Sequence, residues 1–175
     1  MRIIGHRGAR GEAPENTLGG FRYLHDLGVR AVEFDVRQLQ DGQLIVIHDD
    51  NFQRTTGRSQ HVESCDLATA QQFDHRHQWQ AWANEEYTPH LTDLMPCLTE
   101  FEHIEVEIKA VADEAAAERL ILSLHNELKG FEKNATITSF DVKILTALQQ
   151  HHSHFKRGLL VEIPLGEYAI ELAQQ

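Results

Sequence analysis

The chain has 175 residues, of which 41% are hydrophobic and 25% charged, and its formal net charge is −11. This composition is typical of a single globular domain with a sizeable core. The negative charge argues against partners such as nucleic acid or an anionic membrane surface, and no apolar run approaches the ~20 residues that span a bilayer.

The N-terminal residues predict a strand that leads into a polar loop. Met1 is followed by Arg2, Ile3 and Ile4 without the long apolar stretch and small-residue cleavage site of a leader. We therefore expect the mature protein to begin near Met1 and to stay in the cytoplasm. In that compartment the two cysteines are expected to be reduced thiols.

A helix and a β-hairpin follow. Residues 14–17 lead a helix whose apolar positions recur at helical spacing, and Gly28 is a natural stop. Residues 31–39 predict a strand, Asp41-Gly42 the hairpin turn, and residues 44–47 the returning strand.

Residues 51–89 break this rhythm, because they are polar, rich in Gln and His, and contain both tryptophans. They predict an inserted segment that caps one end of the domain and helps to select the substrate. The remaining chain returns to an alternation of helix and strand. The predicted helices are 91–101, 113–129, 142–149 and one that begins in 167–175, and the predicted strands are 104–108, 135–139 and 159–162.

Alternating strands and helices indicate an α/β fold with a parallel sheet of five such strands, plus the hairpin strand. A closed (β/α) barrel has eight strands and typically ~250 residues. We therefore expect residues 1–175 to form one C-terminally incomplete domain that lacks about 65–75 residues. An open sheet would wet its inner face, so this length is expected to be a weak catalyst or none unless a partner chain supplies the missing strands.

Two strands carry carboxylates on one face. Glu33 and Asp35 alternate with apolar neighbours, and Glu105, Glu107 and Lys109 do the same. An antiparallel sheet with one solvated face would give the same pattern. In a parallel sheet covered by helices, however, the polar face must point inwards, where carboxylates repel each other unless a cation lies among them. Oxygen ligands favour Mg²⁺ or Ca²⁺.

Two histidines lie at predicted strand ends. His6 follows the first strand and His48 follows the hairpin strand, and β/α barrels take their catalytic groups from the C-terminal ends of strands. A lone histidine is more often structural, but two near a phosphate make an acid–base pair. The guanidinium of Arg7 could donate two hydrogen bonds to phosphoryl oxygens.

Six motifs in this order resemble the glycerophosphodiester phosphodiesterase family, and together they cover essentially the whole chain. The motifs are Gly5-His6-Arg7-Gly8, Pro14-Glu15-Asn16-Thr17, Val32-Glu33-Phe34-Asp35-Val36, His48-Asp49, Val106-Glu107-Ile108-Lys109 and Ser139-Phe140-Asp141.

This resemblance implies a TIM-type barrel with a small insertion after the hairpin. It also implies that Glu33, Asp35 and Glu107 bind one divalent cation, Mg²⁺ or Ca²⁺, as a cofactor. His6 and His48 would be the general acid and base.

The remaining implied contacts are to substrate: Arg7 and Lys109 with the phosphoryl oxygens, and Glu15 with the metal or the glycerol end. The implied reaction takes a small glycerophosphodiester and water to glycerol 3-phosphate and an alcohol. Homo-oligomerisation is left open.

The chain departs from the family pattern at two places. The last three barrel strands have no counterpart, and Glu105 stands where a neutral polar residue is expected, so that a fourth carboxylate could face inwards. Two other functions therefore stay open. One is a non-catalytic barrel that binds phosphodiesters or metal without turnover, and the other is a phospholipase-like relative that acts on lipid phosphodiesters.

Overall fold

The chain folds around one mainly parallel sheet. In a computed structural model, which describes residues 1–161, 168 and 170, the sheet has six strands. They are β1 (Gly5–His6), β2 (Ala31–Gln38), β3 (Leu44–Val46), β4 (His103–Ile108), β5 (Ala135–Ser139) and β6 (Lys156–Leu159). The α-helices up to residue 161 are α1 (Leu18–Asp26), α2 (Gln53–Thr56), α3 (Leu67–Ala70), α4 (Met95–Leu98), α5 (Glu114–Glu127) and α6 (Val142–Gln150).

The strand order is β1-β2-β4-β5-β6, all parallel, and β3 pairs antiparallel with the end of β2. Helix α1 connects β1 to β2, α5 connects β4 to β5, and α6 connects β5 to β6. This is the architecture of part of a TIM-type barrel, as predicted. Among the described residues, no helix has the length and apolar character needed to cross a membrane.

Short polar side chains begin the three longer helices. The side chain of Thr17 accepts from the N–H of Gly20, and Asp113 and Asp141 cap α5 and α6 in the same way. Helix α1 ends before Gly28, whose φ of 83° is one that glycine adopts at little cost. These caps fix where each helix starts relative to the strand before it.

The main core lies between the sheet and the helices. Phe21 of α1 and Phe34 of β2 are fully buried, with ring centroids 5.6 Å apart in an edge-to-face arrangement. Burying a side chain of this size contributes about 1.5–3 kcal/mol. Because Phe34 faces the helices, its neighbours Glu33 and Asp35 face the other side of the sheet.

Residues 51–89, all of which are described, contribute no strand to the sheet. They contain α2, α3 and a 3₁₀ turn at Val62–Ser64. A second, smaller apolar cluster holds them to the hairpin, with Phe52 and Phe73 edge to face at 4.9 Å. The segment therefore packs on the β2–β3 end of the sheet.

Most predicted boundaries agree with the structure within two residues, and three elements differ more clearly. The first strand, expected to open at Ile3 and Ile4, is Gly5–His6, because pairing starts where Val32 and Glu33 offer partners. Ile3 stays 64% exposed. The helix predicted over 91–101 is divided into a 3₁₀ turn, Leu91–Leu94, and α4.

The strand predicted at 159–162 begins earlier, because β6 spans Lys156–Leu159. Its pairing with β5 begins at Lys156 opposite Thr136. Because Lys156 and Arg157 are charged, the pattern of apolar residues did not predict the first half of this strand. Of the helix predicted to begin in 167–175, only residues 168 and 170 are described, and both are helical.

Candidate active site

The structure brings three predicted metal ligands together. Asp35 of β2 pairs in register with Glu107 of β4, and Glu33 lies two residues before Asp35 on the same face. One carboxylate oxygen from each of the three lies within 4.8 Å of the others. The alternation of side chains along two neighbouring parallel strands is sufficient to make this cluster.

Only one of the two carboxylate oxygens of Glu33 has a hydrogen-bond partner among the described residues. Its Oε1 is buried and has no hydrogen-bond partner among the described residues. Burial and the neighbouring carboxylates of Asp35 and Glu107 raise the pKa of Glu33 to about 8, although the backbone N–H of Arg7 opposes this. A hard divalent cation at these oxygens would favour the ionised form, so the donor set fits Mg²⁺ or Ca²⁺.

Two basic side chains lie against the same carboxylates. The Nζ of Lys109 is 2.6 Å from Asp35 Oδ1 and is also bonded to Glu107 Oε1. The Nε of Arg7 lies 3.3 Å from Asp35 Oδ2. Basic groups beside a candidate cation site offer an anionic group, such as a phosphoryl oxygen, a place to bind.

The loop between β1 and α1 wraps around this cluster. Arg7 and Asn16 have left-handed backbones, with φ of 53° and 56°. The N–H of Arg7 donates to Glu33 Oε2 at 2.9 Å, and Asn16 Nδ2 donates to Asp35 Oδ2 at 2.9 Å. Uncommon backbone conformations at two non-glycine residues are thus combined with hydrogen bonds to two of the carboxylates.

His6 lies at the rim of the cluster, and 56% of its side chain is exposed. Its Nε2 is 3.8 Å from Glu33 Oε2. Partial burial and the positive charge of Arg7 lower the pKa of His6 below its usual value. The imidazole therefore stays near both the carboxylates and solvent.

His48 follows the hairpin and is held at two points. Its Nδ1 is 2.7 Å from Asp49 Oδ1, and its carbonyl accepts from Arg37 Nε at 2.9 Å. A carboxylate on Nδ1 stabilises the tautomer that carries its proton there and leaves Nε2 free to exchange a proton.

Glu15 is buried between two guanidinium groups. Its Oε1 accepts from Arg7 Nη1 at 3.0 Å, and both of its oxygens accept from Arg54 at 2.7 Å. Although burial would raise the pKa of Glu15, the hydrogen bonds from Arg54 and Arg7 lower it to about 2. Glu15 is therefore ionised and anchors Arg7 rather than lying among the three clustered carboxylates.

Three residues of the site had no role in the sequence analysis. Asn16 and Asp49 belong to motifs used there, but neither was given a contact. Arg54 lies in the segment 51–89, where a single charged residue is indistinguishable by sequence from any solvent-exposed one. Asp49 adjoins His48 in the chain, but only the fold brings Asn16 to Asp35 and Arg54 to Glu15.

The expected fourth carboxylate does not join the cluster. Glu105 pairs in register with Glu33 and so lies on the same face, but its Oε1 is 3.0 Å from the Nε2 of His103. It is half-buried, one pleat period below Glu107 on β4. The metal-ligand set predicted without Glu105 is therefore the one that the geometry brings together.

One of the two tryptophans of the segment 51–89, Trp82, lies against α1. Trp82 packs edge to face on Tyr23 of α1 at 5.9 Å and donates to Glu86 Oε1 at 3.0 Å. Together with α1 it lines a cavity of about 600 Å³. The clustered carboxylates do not line that cavity.

Comparison with known proteins gives a consistent result. The sequence profile of the Glycerophosphoryl diester phosphodiesterase family matches residues 6–171. A glycerophosphodiester phosphodiesterase of Caldanaerobacter subterraneus subsp. tengcongensis is 30% identical over 168 residues, which cover 94% of this chain and 68% of that protein.

Solved structures show the same likeness. A phosphodiesterase of Oleispira antarctica, in complex with the product sn-glycerol-3-phosphate, has a TM-score of 0.84 at 25% identity, over 99% of this chain and 72% of that one. A glycerophosphodiester phosphodiesterase of Agrobacterium tumefaciens has a TM-score of 0.77 at 25% identity, over 90% and 65%. The chain thus spans about two thirds of the length of these relatives.

Proposed function

Because the chain belongs to the glycerophosphoryl diester phosphodiesterase family of enzymes, we propose that it hydrolyses small glycerophosphodiesters to glycerol 3-phosphate and an alcohol. The observation that carries this proposal is the cluster of Glu33, Asp35 and Glu107 beside Arg7 and Lys109. The product bound to the Oleispira relative is the glycerol phosphate that such a reaction releases.

Glu33, Asp35 and Glu107 would hold one divalent cation, Mg²⁺ or Ca²⁺. The unpaired buried oxygen and raised pKa of Glu33 support a cation at this place. When bound, the cation would supply Lewis-acid polarisation of the phosphoryl group and a template for its orientation.

Arg7 and Lys109 would bind the phosphoryl oxygens. Each already contacts Asp35, so both lie at the edge of the carboxylate cluster, where they could bind an anionic phosphoryl group. The guanidinium of Arg7 is oriented by Glu15, and it can offer its remaining N–H groups in a planar fork. Binding there would align the ester for attack.

His6 and His48 would move the two protons of the reaction. One imidazole would take a proton from the attacking water, and the other would give a proton to the leaving alcohol oxygen. The contact of His48 with Asp49 supports a fixed ring with a free Nε2, and the exposed edge of His6 supports access to water.

The segment 51–89 would cap this end of the barrel. Its Arg54 contacts both Glu15 and Asp49, which supports a position over the site. Selection of the alcohol by this segment, the cytoplasmic location and any homo-oligomer stay predictions.

The experiment is an assay of glycerol 3-phosphate release from glycerophosphocholine, with and without a chelator. Release that stops with the chelator and returns with Mg²⁺ or Ca²⁺ supports the proposal. Binding of substrate without release would favour the non-catalytic alternative. Preferential cleavage of a lysophospholipid presented in micelles would favour the lipid-acting one.

A further inference from the structure

Arg54 joins two carboxylates that come from different loops. Its Nη1 and Nη2 donate to the two oxygens of Glu15 at 2.7 Å each. Its Nε and Nη2 donate to Asp49 Oδ2 and Oδ1 at 2.7 and 3.1 Å. Each carboxylate therefore accepts two hydrogen bonds from Arg54, a bidentate geometry that a guanidinium provides and a lysine ammonium does not.

Each of these carboxylates touches a residue to which the proposed function gives a role. Glu15 Oε1 also accepts from Arg7 Nη1, at 3.0 Å. Asp49 Oδ1 is also bonded to Nδ1 of His48, at 2.7 Å. One side chain of the inserted segment is thus a single contact away from both a proposed phosphate ligand and a proposed proton-transfer group.

We propose that Arg54 is a positioning residue, which fixes the ring and tautomer of His48 through Asp49 and the guanidinium of Arg7 through Glu15. The role in turnover rests on the proposed function, whereas the effect on His48 does not. With the Asp49 carboxylate held by Arg54, the proton of neutral His48 stays on Nδ1, which leaves Nε2 as the nitrogen that can exchange a proton.

The electrostatics of the network agree with the geometry. Burial would raise the pKa of Asp49, yet the hydrogen bonds from Arg54 and His48 lower it to about 2. Asp49 is therefore an ionised acceptor at neutral pH and cannot donate back to Nδ1. Without Arg54, the same carboxylate would be free to rotate away from His48 or to bind solvent.

A purely structural role for Arg54 would be to attach the inserted segment to the barrel. Two measurements separate that role from positioning. The tautomer of His48 reports on the ring itself, and the effect on kcat reports on proton transfer. Loss of an attachment would lower stability alone. Arg58 is the matched control, because it lies in the same segment, is exposed, and forms no ion pair among the described residues.

The experiment records the ¹⁵N NMR chemical shifts of the His48 ring at a pH well above ~6.5, where an ordinary histidine is neutral. It compares the wild-type chain with Arg54→Gln and Arg58→Gln. We expect a single Nδ1–H tautomer in the wild type and in Arg58→Gln, and a mixture in Arg54→Gln. A single unchanged tautomer in Arg54→Gln would overturn the proposal. If Arg54→Gln does not fold, Arg54→Lys replaces it, because a lysine cannot bind both carboxylates at once. A single unchanged Nδ1–H tautomer in Arg54→Lys would then overturn the proposal.

Kinetics provide the second arm. Arg54→Gln should lower kcat by about 10- to 100-fold, the loss typical of residues that orient a site ligand. Arg54→Lys should lie between it and the wild type, and Arg58→Gln should match the wild type. In the background of Asp49→Ala, the further loss of kcat from Arg54→Gln should be smaller than in the wild type. Full additivity would contradict positioning through Asp49.

A wild-type chain without turnover would refute the proposed function, while the tautomer of His48 would still decide the role of Arg54.

Discussion

Asp35 of β2 and Glu107 of β4 occupy paired positions on neighbouring parallel strands, and the ammonium of Lys109 lies against both carboxylates. The pairing follows from register alone, since every second residue of each strand faces the same side. The same register puts Glu105 opposite Glu33, one pleat period lower. Because these carboxylates are closely spaced on one face, substitutions among them test cation binding most directly.

Glu107→Gln should weaken binding of Mg²⁺ or Ca²⁺ at least tenfold, because it removes one of three clustered anionic oxygens. Glu105→Gln is the matched control, with the same change on the same strand, because Glu105 is bonded to His103 instead. Isothermal titration calorimetry measures both. Equal weakening by the two variants would mean that the cation is not held by the predicted set.

His6→Ala and His48→Ala should each lower turnover by about 10²- to 10⁴-fold, the usual contribution of general acid–base catalysis. Both side chains are partly exposed, so the fold should survive, and circular dichroism can verify this. The exposed His154 provides a control, and His154→Ala should keep wild-type turnover. Losses below tenfold for both site variants would remove these histidines from the mechanism.

Acidification should destabilise the protein through Glu15 and Asp49, whose folded-state pKa values are each about 2. A carboxyl group with a depressed pKa stabilises the fold above its unfolded pKa of ~4, and this stabilisation is lost as the pH falls towards 2. Urea unfolding at pH ~5 and ~3 should show a smaller loss in Arg54→Gln than in the wild type. Arg58→Gln should lose as much as the wild type. Identical losses in all three proteins would contradict this account of the network.

Glu127 of α5 should destabilise the fold at alkaline pH. Burial raises its pKa to about 7, and its Oε2 has no hydrogen-bond partner among the described residues. Because the folded state binds the proton more tightly, stability should fall as the pH rises from ~4 through 7. The Nε2 of His90 lies 3.8 Å from Oε2 of Glu127, and it is the basic group that could offset part of the carboxylate's charge.

Glu127→Gln should therefore raise the free energy of unfolding at pH ~8 and flatten its dependence on pH. The control is Glu118→Gln, an equal change at an exposed position of the same helix, which should leave both unchanged. Chemical denaturation across pH measures the effect. A Glu127→Gln variant that is less stable than the wild type at pH ~8 would indicate that the charged carboxylate is well solvated after all.

The sequence was sufficient where a local rule decides the outcome. Alternation on two strands predicted that Glu33, Asp35 and Glu107 share a face, and the predicted helices after residues 14–17 and from 113 match the starts of α1 and α5. Whether the three carboxylates bind a metal stays a prediction.

The sequence was insufficient where long-range pairing decides. Strand β6 depends on hydrogen bonds to β5 rather than on apolar residues, so its charged first half was missed. Arg54 could not be recognised, because its partners Glu15 and Asp49 lie 39 and 5 residues away in the chain and come together only in the fold.

The most direct test of the account is the rate of glycerol 3-phosphate release from glycerophosphocholine by the wild-type protein and by Glu107→Gln, with and without Mg²⁺ or Ca²⁺. We predict slow release by the wild type, only when a divalent cation is present, and a loss of this cation-dependent rate in Glu107→Gln. Release that neither a chelator nor Glu107→Gln reduces, or a protein that binds the cation and the substrate but releases no glycerol 3-phosphate, would contradict it.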